Sequence, residues 1–154
     1  MLFKLVTPER ILFEEEVVSA TLPSESGEIT VLNNHVPIVS NLVAGVAELK
    51  RPDGSVEDVA LSSGVIKVGN NTITVLAETA ERGDELDLKV IEEARKKAEK
   101  LMNETVSDNE ESYAYAAAMM ERELARYKAV NKYRQRKGIR TTSVREEHAT
   151  PETE

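Results

Sequence analysis

The chain has 154 residues, no cysteine, two histidines and a formal net charge of −8. That length suits one ordinary domain or two small ones, and the missing thiols exclude a disulfide framework, a cysteine nucleophile and cysteine-based metal sites, while His35 and His148 lie too far apart in sequence to suggest a zinc site. No apolar run approaches the length of a membrane span and the opening MLFKLVTPER lacks the apolar core of a signal peptide, so a soluble protein that stays where it is made is expected.

Residues 1–86 read as many short strands. MLFKLVT is a strand stopped by Pro8, ILFEEEVVSATLP supplies one or two strands ending at Pro23, and GEITVL is entered through Gly27. Glu14, Glu15 and Glu16 fit a solvated strand face or a turn better than a catalytic pair. NNHVP places His35 in a loop between apolar runs, where a lone histidine is more often a structural hydrogen-bonder than a partner contact. VAELK and VEDVALS flank RPDG, and GVIKV and TITVLAE flank GNN, both hairpin signals. Short strands with frequent turns predict an all-β sandwich or barrel. Gly64 and Gly69 have the glycine spacing of a phosphate-binding loop, but Asn70 and Asn71 stand where Lys and Ser or Thr would be needed, so a hairpin is expected instead.

Near Leu86 the composition turns helical, and neither Gly nor Pro recurs until Gly138. A first helix is expected over about 88–102, with Ile91, Ala94, Ala98 and Leu101 forming an apolar stripe and Glu92/Lys96 and Glu93/Lys97 each adding about 0.3 kcal/mol. Ser107, Asp108 and Asn109 are candidate N-caps for a second helix over about 109–137, with a stripe of Tyr113, Ala117, Met120, Leu124 and Tyr127 and a stop at Gly138. Two amphipathic helices with a short break predict an antiparallel hairpin spanning 87–138, so the class is α+β. Its seam, YAYAAAMM above all, is rich in small residues and buries little apolar area, so only marginal attachment of the hairpin is expected. Residues 139–154 are polar and without period, which predicts a disordered tail.

No motif for catalysis stands out: LSSGV does not make a nucleophile elbow, and one ordered histidine leaves few ways to build a triad. Charge is the outstanding feature. Residues 1–87 hold 15 acids and 6 bases, whereas 122–140 holds eight bases and one acid, Glu123. A solvated helix face explains two or three such bases; so many point to a charged partner, either a nucleic-acid backbone or an acidic protein surface. Tyr127 and Tyr133 could stack on bases, while the acidic remainder of the chain would repel a polyanion.

The segment VTPERILFEEEVVSATLPSESGEITVLNNHVPIVSNLVAG resembles the opening of the epsilon subunit of F-type rotary ATP synthases, where a Pro-x-x-x-Gly-Glu segment leads to an Asn/Gly-His-x-Pro loop. LSSGVIKVGNNTITVLAETAERGDELD resembles that family's second signature, and RELARYKAVNKYR its last helix; the likeness covers about residues 2–137. The resemblance implies a flattened all-β sandwich followed by an antiparallel two-helix hairpin, and a noncatalytic rotor subunit of the central stalk, with no cofactor, that helps couple proton flow through the c-ring to ATP synthesis. Its partners would be the gamma subunit, the c-ring and the alpha/beta catalytic head, at the cytoplasmic face of the bacterial inner membrane. Carried over by position, Glu28 would face the c-ring and His35 the gamma side. The family's hairpin can fold against the sandwich or extend into the head and block ATP hydrolysis, which implies that Arg122, Arg126, Lys128, Lys132, Arg134 and Arg136 meet acidic surface of the catalytic subunits. Some family members bind ATP through Ile/Leu-Asp-x-x-Arg-Ala; here Leu86-Asp87 matches, but Val90-Ile91 replaces Arg-Ala, so ATP binding is expected to be weak or absent. A nucleic-acid-binding or scaffold module is the alternative.

Overall fold

A computed structural model describes residues 1–105 and 109–138. Ten strands precede two helices: β1 (Leu2–Val6), β2 (Ile11–Glu16), β3 (Ser19–Ser24), β4 (Gly27–Leu32), β5 (Ile38–Leu42), β6 (Gly45–Lys50), β7 (Val56–Leu61), β8 (Gly64–Gly69), β9 (Thr72–Ala77), β10 (Ala80–Arg82), α1 (Leu88–Thr105) and α2 (Glu110–Arg136). ILFEEEVVSATLP thus yields two strands, and β5 and β10 are strands that the sequence patterns did not single out.

The strands form two layers. One runs β4-β3-β6-β7-β10 and the other β5-β8-β9-β1-β2, joined where Ser24 pairs with Leu42. β1 lies parallel to β9, and the other pairs are antiparallel. Period-two alternation points Ala47, Leu49, Val59 and Leu61 of the first layer and Phe3, Leu5, Ile66, Ile73 and Val75 of the second into one shared core. Of the sandwich or barrel that the turn spacing allows, this is the sandwich.

The turns form as their residues require. Asn70 and Asn71 both adopt positive φ, 51° and 54°, between β8 and β9, which is the twist-compatible hairpin turn rather than a phosphate-binding loop. Between β6 and β7, Gly54 donates to the Arg51 carbonyl at 3.0 Å. Asp53 Oδ1 accepts from the Ser55 amide at 2.8 Å in the same turn.

Asp87 Oδ1 accepts from the Lys89 amide at 2.8 Å and caps α1; Asn109 Oδ1 does the same for α2 through Glu111 at 3.0 Å. Ser107 and Asp108, the other cap candidates, and the tail 139–154 lie outside the described residues. Gly138, at φ +69°, stands just beyond α2 as expected of a stop.

The apolar stripes need correction. Ile91 and Ala98 are buried in α1 but Leu101 is exposed, and in α2 Tyr113 and Leu124 are exposed while Ala116, Glu123, Ala125, Ala129 and Val130 are buried. The reason is geometric: α2 packs on α1 and also on β6 and β7. Its covered arc is therefore wider than a single seam, and small residues let the helix backbone approach the sheet.

Candidate functional site, a basic helix on an acidic sheet face

β6 and β7 pair so that Val46 stands opposite Ala60 and Glu48 opposite Asp58; β10 places Glu81 opposite Ala60. Their neighbours Ala47, Leu49, Val59 and Leu61 fill the core, so these five residues share the outer face of the sheet. That face holds a small apolar centre with three acids around it. Two of them, Glu48 and Asp58, sit directly across from one another, an arrangement that costs energy unless a cation intervenes.

α2 supplies the cations. At 3.6 residues per turn, positions 126, 129, 133 and 136 fall on one side of the helix. Ala129, fully buried, packs on Val46 and Ala60, with Leu86 beside them. On one side of this contact Arg126 makes a two-pronged pair with Glu81 and also holds Glu123, its own helix neighbour, at 3.1 and 3.2 Å. On the other, Arg136 bridges the opposed acids: Nε donates to Asp58 Oδ2 at 2.8 Å and Nη2 reaches Glu48 Oε2 at 2.7 Å. Lys132 Nζ lies 3.7 Å from the same Glu48 oxygen.

Burial makes these pairs matter. The Asp58 side chain is 1% exposed, Glu123 7% and Arg126 16%. The hydrogen bonds it donates to Glu81 first, then the negative charge of Glu81 and Glu123, hold the Arg126 guanidinium above its ordinary value against the opposing effect of burial. Asp58, then Glu48, does the same for Arg136.

Gly83, in the connector between β10 and α1, allows the close approach. Its amide donates to the Asp58 carbonyl at 2.8 Å, and a Cβ there would lie 2.9 Å from the Ala129 carbonyl oxygen and 3.3 Å from Tyr133 Cβ.

Of the residues singled out in the sequence, Arg126, Lys132 and Arg136 come together on this face. Arg122 and Lys128 are exposed and Arg134 is half-buried, none with an ion pair among the described residues. Glu28 is exposed at the start of β4. His35 lies beyond the strand's other end, its Nδ1 2.7 Å from the Val36 carbonyl and its amide bonded to Leu32, so the two are not brought together. The loop around His35 is tied to the β8–β9 turn by Asn34, whose amide donates to Asn71 Oδ1 at 3.0 Å.

Sequence reasoning did not find Glu48, Asp58, Glu81 and Gly83. One signal was available: β7 carries apolar residues at both parities, Val59 and Leu61 on one face and Ala60 on the other, which marks a strand covered on both sides. The acids beside Ala60 then had to meet whatever covered it.

Known proteins carry the same architecture. The family described as "ATP synthase, Delta/Epsilon chain, beta-sandwich domain" matches residues 1–83. The ATP synthase epsilon chain of Syntrophomonas wolfei is 36% identical over 131 residues, covering 85% of this chain and 94% of that one. That of Moorella thermoacetica is 35% identical over 126 residues, covering 82% and 92%. Among solved structures, a chain of the Euglena gracilis mitochondrial ATP synthase, OSCP/F1/c-ring in rotational state 1, matches with a TM-score of 0.72 at 20% identity, covering 83% of this chain and 79% of that one. A chain of the Tetrahymena thermophila mitochondrial ATP synthase central stalk/c-ring matches at 0.56 and 13%, covering 83% and 94%. The last two likenesses concern the fold. The epsilon chains extend the match from the sandwich into the helical hairpin, and with it the chain belongs to the ATP synthase epsilon chain family.

Proposed function

We propose that this chain is a noncatalytic central-stalk subunit of a bacterial ATP synthase, coupling rotation driven by proton flow to ATP synthesis, and that α2 is a movable arm that restrains ATP hydrolysis. The observation that carries the second half is the docking of α2: a long basic helix, about 40 Å at 1.5 Å per residue, is seated on the sandwich mainly through charges and alanines. Such a contact can be exchanged for another acidic surface, as a two-state element requires.

In this reading the sandwich rests on the gamma subunit and the c-ring, with Glu28 toward the ring and His35 toward gamma. Arg122, Arg126, Lys128, Lys132, Arg134 and Arg136 meet acidic surface of the catalytic head when the arm extends. The similar folds in F1/c-ring and central-stalk assemblies support that placement. A peripheral position at the cytoplasmic face of the bacterial membrane accords with the bacterial relatives and with the finding that no helix among the described residues is long and apolar enough to cross a membrane. An assembled complex whose subunit lacks residues 88–154 should hydrolyse ATP faster than the intact one; an unchanged rate would sink the inhibitory role.

ATP is held weakly or not at all in this reading. Val90 and Ile91 stand where the nucleotide-binding relatives carry Arg-Ala, so the cation that would meet the nucleotide is missing, and Ile91 is buried. Micromolar binding in calorimetry on the full chain would contradict this. A nucleic-acid role gains no support: Tyr127 lies 5.7 Å beneath the Arg95 guanidinium and Tyr133 is half-buried beside Gly83, so both are partly engaged within the chain.

A further inference from the structure

We propose that Glu48, Asp58 and Glu81 are a decoy for the arm: the sandwich offers the cations of α2 an acidic surface of its own, and the arm leaves when a partner's acids compete more strongly. The proposal rests on the reading that these cations engage the catalytic head. It makes the sandwich acids, rather than the helix alone, the residues that set how readily the arm is released.

The distribution of ion pairs supports it. The other ion pairs of the sandwich are internal to it: Arg51 serves Glu15 and Glu57, Lys4 serves Glu14, and Arg82 reaches Glu57. Glu48, Asp58 and Glu81 differ, because among the described residues their cations come from α2 alone. Glu48 and Asp58 also face each other across the strand pair, so the undocked sandwich is left with a repulsion that Arg136 relieves. Three of the six cations assigned to the partner are thereby occupied, and the same charged groups cannot serve both surfaces. The apolar cluster at this contact is small: Ala129 on Val46 and Ala60, with Leu86 beside them.

Neutralising the sandwich acids should therefore act oppositely to removing the arm. The test is Glu48→Gln with Asp58→Asn and Glu81→Gln, read in two ways. In the isolated full chain, hydrogen exchange of the α2 amides should quicken tenfold or more while the β-strand amides keep their protection. In the assembled complex ATP hydrolysis should fall several-fold. Unchanged α2 protection overturns the decoy. Lost protection with unchanged hydrolysis upholds the latch and overturns the inhibitory reading beneath it. Should the triple variant lose strand protection, Glu48→Gln with Glu81→Gln, which spares the buried Asp58, replaces it with the same criteria. Glu81→Arg alone should also release α2; unchanged protection of the α2 amides in that variant counts against the proposal.

Discussion

Asp58 carries more of the docked state than its place in the strand suggests. Its carboxylate is 1% exposed and takes its salt bridge from Arg136, whose own side chain is 35% exposed. Arg136→Met should destabilise the folded chain by about 2 kcal/mol in urea unfolding, because it leaves Asp58 buried without its cation; the partial exposure of Arg136 keeps the figure below that of a fully buried pair. Asp58→Asn in the same chain should recover most of the loss, since a neutral amide no longer needs the cation. Additive losses in the double variant would show that the two side chains act independently. In VEDVALS nothing distinguishes Asp58 from Glu57, yet one faces α2 and the other Arg51. Alternation announces that they point to opposite faces, but not which face is covered.

At the scale of elements, the strands and helices were largely readable because their signals are local. The Asn70-Asn71 turn, the Asn109 cap and the stop at Gly138 follow from residues that favour those backbone shapes. The α2 stripe was misread for a non-local reason. Leu124 and Tyr113 have the right spacing for a two-helix seam, but the helix also lies on a sheet, and it is Ala129 that the sheet covers. The connector sets how close the two come. Gly83→Ala should push the Ala129 carbonyl away, weakening docking by about 1–3 kcal/mol while the core of the sandwich stays intact. Faster exchange confined to α2 would bear this out; equal protection in both chains would mean that the connector, not the helix, gives way.

For the whole molecule, an acidic sandwich and a basic helix meet within one chain. The sign of the arginine shifts gives a pH expectation. The values of Arg126 and Arg136 are raised on docking, so their stabilisation is fully present below the undocked value and is lost only as pH rises through the higher docked one, far above neutrality. The separation between labels on α2 and β6 should thus stay constant from about pH 7 to about pH 9, since arginine remains charged throughout; an increase over that range would contradict it. Raising salt should lengthen the separation, because partly exposed pairs are screened. By itself the sequence determined the β-sandwich class, the helical hairpin, the excess of cations in α2 and the resemblance to the family, all of which rest on alternation, turn residues, composition and the order of short motifs. Only the tertiary structure decided which cations are already engaged. Arg126 and Glu81 are 45 positions apart, and Arg136 and Asp58 are 78 apart. Local periodicity tells which way each side chain points from its own element, whereas an ion pair depends on how two elements are laid against one another.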